Sequence, residues 1–173
     1  MTNYIMIVNI LSILFLILVL VSCHNINKYN RLSEIIPHIY ISSYSTANNY
    51  DVLKQHNIKY ILTILSNSWY LYQYKNIKYM RIQINDSPTE NIKNSFNSAF
   101  NLIDEAVQKN ENILIHCHVG VSRSPTIVAS YLMKKYNISS SHALRIIKKK
   151  REYIQPNSGF LRQLKEYEII LDE

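Results

Sequence analysis

"ILIHCHVGVSRSPT", residues 113–126, sets a cysteine directly after an apolar run, an arginine six positions later, and a glycine between them. The chain has two glycines in 173 residues, where average usage of about seven per cent would supply ~12. A glycine at position 120 of so glycine-poor a sequence marks a place where the backbone must turn or approach a ligand closely. "ILI" reads as a buried strand, and Ser124-Pro125 reads as a helix start, serine being a favoured cap and proline a favoured first helical residue. The stretch is therefore a strand, a loop from His118 to Arg123, and a helix. Anions bind beyond the carboxyl ends of strands in layered α/β sheets, where helix N-termini present free N–H groups.

The flanking sequence fits that architecture. "IIPHIYIS" (35–42), "IKYILTIL" (58–65), "IKYMRIQI" (77–84) and "ENILIHC" (111–117) read as strands, the first with Pro37 at its entrance. Helices are expected over 45–56, over 90–109 with Ile92, Phe96, Phe100 and Ile103 on one face, and over about 124–136, 139–152 and 158–171. Strands alternating with helices predict an α/β domain with a central, mostly parallel sheet flanked by helices. No internal repeat is present. Lys148-Lys149-Lys150-Arg151 cannot share one face of a helix, so the run reads as mostly solvated.

Residues 4–22, "YIMIVNILSILFLILVLVS", carry no charge and as a helix would be about 28 Å long, close to the hydrocarbon thickness of a bilayer. The first basic residues, Lys28 and Arg31, follow this segment, an arrangement that favours an uncleaved anchor with the rest of the chain in the cytoplasm. Cleavage near "LVSC" (20–23), with secretion, is the alternative. The expected organisation is a hydrophobic helix over 1–23, a polar linker over 24–33 and a folded domain over 34–173.

Net charge is +7, which favours acidic or phosphorylated partners. No basic stripe interleaved with aromatics appears, so nucleic acid is not an expected partner. Cys23 and Cys117 form no CxxC pair, and no His pair has ligand spacing, so neither a metal nor a cofactor is expected. The loop chemistry points instead to a nucleophile. Curled backbone amides and a helix N-terminus would hold Cys117 as a thiolate and then hold a phosphate. Arg123, a planar fork, can grip two phosphoryl oxygens at once. Attack on phosphorus would give a cysteinyl-phosphate, later cleaved by water.

His116-Cys117-His118-Val119-Gly120-Val121-Ser122-Arg123-Ser124 fits HCxxGxxR(S/T), and "HCHVGVSRSPT" resembles the small atypical members of the dual-specificity protein phosphatases. "IQPNSGFLRQLKEYE" (154–168) resembles the C-terminal stretch of that family, with Gly159 at a turn and Phe160 and Leu164 packed inward. The resemblance spans residues 34 to 170. It implies an enzyme that removes phosphate from phosphotyrosine and phosphoserine or phosphothreonine of proteins. Cys117 is then the nucleophile. His118, Val119, Gly120, Val121, Ser122 and Arg123 are the phosphate-binding loop, with Val119 where relatives commonly carry alanine. Ser124 eases departure of the thiolate, caps the helix, or does both, and His116 tunes the sulfur through hydrogen bonds. The family takes its proton donor from a loop following a strand. Among the four aspartates, Asp51 and Asp104 fall in expected helices and Asp172 in the tail, so Asp86 of "QINDSPTEN" is the candidate. Asp86 forming only an Asx turn with Ser87-Pro88 is the other reading. Alternatives for the whole are a phosphoinositide phosphatase and a membrane-tethered phosphoprotein-binding module.

Overall fold

Strand β5 (Asn112–His116) lies at the centre of the sheet. The computed structural model describes residues 12–20, 28–66 and 72–173. Around β5 are β1 (Ser33–Ile36), β2 (Ile39–Ser42), β3 (Ile58–Ile64) and β4 (Lys78–Ile82), in the order β1-β2-β5-β3-β4. β2, β5, β3 and β4 run parallel, and β1 is antiparallel on the edge. The expected single strand over 35–42 is thus a hairpin. Pro37 and His38 make its turn, with His38 at φ 72° and its Nδ1 2.8 Å from Asn112 Oδ1.

A helical run over 12–20 (α1) precedes the sheet. The helices that follow are α2 (Tyr44–Ala47), α3 (Tyr50–Gln55), α4 (Phe96–Gln108), α5 (Arg123–Tyr136), α6 (Ser140–Lys150) and α7 (Ser158–Asp172). The helix expected over 45–56 is two, because Ser43 caps the first through Thr46 N and Asn49 caps the second through Val52 N. The helix expected from residue 90 begins at Phe96, after a short 3₁₀ turn over Lys93–Ser95.

Side-chain alternation along the strands builds two cores. Ile39, Ile41, Leu62, Ile64, Ile113 and Ile115 pack with α4, α5 and residues of α6 and α7, including Phe160 and Leu164. Tyr40, Ile58, Ile61 and Leu114 pack on the other face with Ala47 and Leu53 of α2 and α3. Because it is covered on both faces, β5 reads as an unbroken apolar run. α5 is buried from Arg123 to Met133.

The expected membrane segment needs correction. Among the described residues no helix is long and apolar enough to cross a membrane. Residues 4–11 and 21–22 of the expected anchor lie outside the described residues, as do 21–23 of the alternative cleavage site. The membrane anchor and the cytoplasmic placement built on it therefore do not stand. The basic run is mostly solvated as expected, Lys148, Lys149 and Lys150 being exposed, while Arg151 is 1% exposed.

The glycine deficit has a structural answer. Among the described residues, five non-glycine residues have positive φ, and four of them are asparagines: Asn57, Asn76, Asn110 and Asn137. Asparagine tolerates the left-handed region better than most residues, so it serves at ordinary turns. The two glycines stand where no Cβ fits.

Candidate active site

Cys117 is the first residue beyond β5, and Arg123 opens α5. The carbonyls of the loop between them are each engaged from outside. His118 O accepts Tyr44 N at 2.9 Å and Val121 O accepts Gln155 N at 2.8 Å. Val119 O accepts Arg151 Nη2 at 3.0 Å, and Gly120 O accepts Arg151 Nε at 2.7 Å. Ser122 O takes Thr126 N at 3.1 Å and Thr126 Oγ1 at 2.8 Å. Peptide units whose carbonyls point outward aim their N–H groups inward, which makes an anion-binding nest. Gly120 permits the bend at φ +70°, and a Cβ there would come within 2.5 Å of both Ser42 O and Arg151 Nη2.

Cys117 is 1% exposed, and its Sγ accepts a hydrogen bond from Ser124 Oγ at 3.3 Å. Ser124 therefore does not cap α5. The helix starts one residue earlier than expected, at Arg123, and its N-cap residue Ser122 makes no side-chain cap. Ser122 Oγ instead donates to Asp86 Oδ1 at 2.7 Å and accepts Asn157 N at 3.2 Å. His118 and Val119 form an exposed rim and Val121 is half-buried. At 38% exposure, Val119 faces solvent.

Arg123 is 7% exposed. Its Nη1 donates to Ile84 O at 3.1 Å, and its Nε stands 3.6 Å from Asp86 Oδ2. That separation is too long for a hydrogen bond. Among the described residues, Arg123 Nε is the sole buried side-chain polar atom without a hydrogen-bond partner. Orphaned buried donors are rare and costly. Arg123 Nε therefore keeps a donor that can serve an anionic oxygen.

Asp86 follows β4, which is parallel to β3 and, through it, to β5, so Asp86 and Cys117 lie at the same end of the sheet. Its Oδ1 accepts both Ser122 Oγ and Asn157 Nδ2, the latter at 2.9 Å. This leaves Oδ2 as the carboxyl oxygen turned towards Arg123. Its segment is pinned by α7: Gln163 accepts Lys93 N and donates to Glu90 O, and Lys93 pairs with Glu166 at 2.6 Å. Gly159 belongs to this docking rather than only to a turn, since a Cβ there would collide with the backbone of Pro88. Gly159→Ala should cost about 1–3 kcal/mol of stability through overpacking. It should also slow turnover by displacing Asp86. Thermal melting and a parallel rate measurement check both effects.

His116 is fully buried. Its Nδ1 lies 3.2 Å from Cys117 O, a group that can only accept, so Nδ1 carries the hydrogen and Nε2 accepts Thr63 Oγ1 at 2.8 Å. Burial, aided by the Arg123 and Arg81 charges and opposed by the bond to Cys117 O, lowers its pKa from 6.5 to about 4. His116 is thus a neutral orienting group at physiological pH. Because the folded state resists its protonation, its contribution is complete above pH 6.5 and is lost as pH falls from there through about 4. Acidification should remove up to about 3 kcal/mol. Urea unfolding of wild type and His116→Gln across that range should show the variant's flatter profile.

Sequence reading did not single out Thr63, Asn157 or Arg151 for this site. Asn157 and Gly159 lay inside the quoted C-terminal stretch, which was the available signal. Thr63 pairs in register with His116, and Arg151 is separated from the loop by two helices. Among the described residues no group of three metal-ligating side chains occurs.

A cysteine at the end of a central parallel strand, beneath an amide nest and a buried arginine, defines the phosphate-loop class of α/β domain. Residues 39–170 match the family described as "Dual specificity phosphatase, catalytic domain", and the chain belongs to that family. Human "Dual specificity protein phosphatase 6" is 40% identical over 136 residues, 78% of this chain but 36% of the relative. "Dual specificity protein phosphatase 1B" of Arabidopsis thaliana is 36% identical over 137 residues, 79% of this chain and 81% of the relative. The human "tyrosine phosphatase-like serine/threonine/tyrosine-interacting protein" has a crystal structure that superposes with a TM-score of 0.79 at 31% identity, covering 83% of this chain and 99% of that one. This chain spans little more than a third of the first relative's length.

Proposed function

We propose that this domain removes phosphate from phosphotyrosine and from phosphoserine or phosphothreonine of proteins, through a cysteinyl-phosphate intermediate. The observation that carries the reading is the buried Arg123 Nε, ion-paired at 3.6 Å with Asp86 but making no hydrogen bond, at the end of a loop whose carbonyls all point away. In this mechanism the amides of the 118–123 loop and Arg123 hold the phosphoryl oxygens, and the Cys117 thiolate attacks phosphorus in line with the leaving oxygen. A protonated Asp86 delivers its hydrogen from Oδ2 to that oxygen, while Ser122 and Asn157 hold Oδ1. Water then attacks the cysteinyl-phosphate, Asp86 accepts its proton, and Ser124 Oγ hydrogen-bonds the departing sulfur. His116 keeps the Cys117 backbone in register.

The side chains at His118, Val119, Val121 and Ser122 bring no lysine or arginine into the loop, which favours a phosphoprotein over a polyanionic lipid headgroup. The full chain should hydrolyse para-nitrophenyl phosphate with chelator present, and a strict need for a divalent cation would overturn the mechanism. Rates on phosphotyrosyl peptide, phosphothreonyl peptide and a phosphoinositide, measured together, test the substrate class. Preference for the lipid would replace the proposal.

A further inference from the structure

Among the described residues Arg151 is the largest side chain that is fully buried, although it follows three exposed lysines. A guanidinium has five N–H donors, and five hydrogen bonds leave this one. Two reach the loop: Nε to Gly120 O at 2.7 Å and Nη2 to Val119 O at 3.0 Å. Three reach the chain ahead of and within β1: Nη1 to Arg31 O at 2.7 Å and to Ser33 Oγ at 3.1 Å, and Nη2 to Tyr29 O at 3.0 Å. The Tyr153 ring covers the guanidinium with its centroid 4.7 Å away. Burial lowers the pKa of Arg151.

The segment being gripped is itself fastened. Tyr153 OH donates to Lys28 O, and the Tyr29 ring meets Tyr153 edge-on at 5.1 Å. Asn30 O accepts Thr46 Oγ1 at 2.6 Å, and Asn30 Oδ1 accepts Ser43 Oγ at 2.9 Å. These residues, expected to be a polar linker, form a strap across the back of the loop. On its outer side it touches the same guanidinium that turns the Val119 and Gly120 peptides.

We infer that Arg151 is a positioning residue for phosphate binding: one guanidinium holds two loop carbonyls outward and joins residues 28–33 to the catalytic loop as one unit. The assignment rests on the phosphatase reading above. Arg151 touches no substrate and acts through the two peptide units. Its requirement is the five-pronged fork, not the charge, since a lysine ammonium is a single point that cannot span both sides.

The test uses the full chain, inorganic phosphate as competitor and para-nitrophenyl phosphate as substrate. Arg151→Lys should raise the inhibition constant of phosphate about tenfold and lower kcat/KM about 10- to 100-fold, the scale of a small misplacement of catalytic groups. A purely structural role would lower the melting temperature and the active fraction but leave the inhibition constant unchanged, and that result overturns the assignment. If Arg151→Lys does not fold, Thr46→Val decides. It loosens the strap at Asn30 without touching Arg151, and should raise the phosphate constant about threefold, the worth of one hydrogen bond. An unchanged constant in that variant refutes the coupling. Hydrogen exchange gives the independent arm: phosphate should slow exchange in 28–33 as well as in 118–124 of the wild type, and slowing confined to 118–124 also refutes it. A wild type that neither hydrolyses the aryl phosphate nor binds phosphate would instead sink the phosphatase reading, and the assignment with it.

Discussion

Cys117→Ser is expected to lower turnover of para-nitrophenyl phosphate by at least about 10⁴-fold, the scale seen when a nucleophile is removed, while phosphopeptide still binds. A serine hydroxyl stays protonated where a thiol can ionise, so the attacking anion is lost. The binding groups are not. The outward carbonyls are held by Tyr44, Arg151, Gln155 and Thr126, and Arg123 keeps its bond to Ile84 O. Ser124 Oγ, now 3.3 Å from sulfur, can hydrogen-bond an oxygen in its place. Fluorescence polarisation with a labelled phosphotyrosyl peptide should show affinity within a few-fold of wild type. Retained turnover would remove Cys117 from the reaction, and lost binding would mean that the sulfur shapes the loop.

Asp86→Asn should separate the two kinds of leaving group. Alkoxide departure from phosphothreonine needs a proton, and general acid catalysis is worth about 10²- to 10⁴-fold. Para-nitrophenolate leaves without help and should slow much less. The substitution preserves an Oδ1 that can accept Ser122 Oγ and Asn157 Nδ2, but it replaces Oδ2, the oxygen 3.6 Å from Arg123 Nε. Single-turnover rates on both substrates give the comparison. Equal losses would move the proton donor elsewhere and leave Asp86 as a clasp between Ser122 and α7.

Much of this arrangement is local in sequence and therefore legible there. The β5–loop–α5 unit occupies consecutive residues, and a buried parallel strand followed by a serine-proline helix start leaves few alternatives. The strand order was not legible, because β5 enters between β2 and β3 from far along the chain. The turn at Pro37-His38 was hidden inside one apolar run, and the break at Asn48-Asn49 lies between two short helices that carry no glycine or proline. Arg151 departs from the rest of its run for a geometric reason. α6 ends at Lys150, and at Arg151 the backbone leaves helical geometry with φ −139° and ψ 79°, turning this side chain inward while the three before it face water. Gly159 was assigned to a turn because its contact with Pro88 bridges residues 71 positions apart, a closeness no local pattern records.

The outward anchoring of the loop carbonyls has one further consequence. Each anchor is made by the protein itself, so the cradle holds its shape whether empty or filled. An arriving phosphate monoester meets a rigid mould and loses little affinity to reshaping it. The Asp86 segment is fastened in the same way, by Asn157, by Gln163 and through Lys93 by Glu166, so the carboxyl group is expected to meet each arriving substrate in one place.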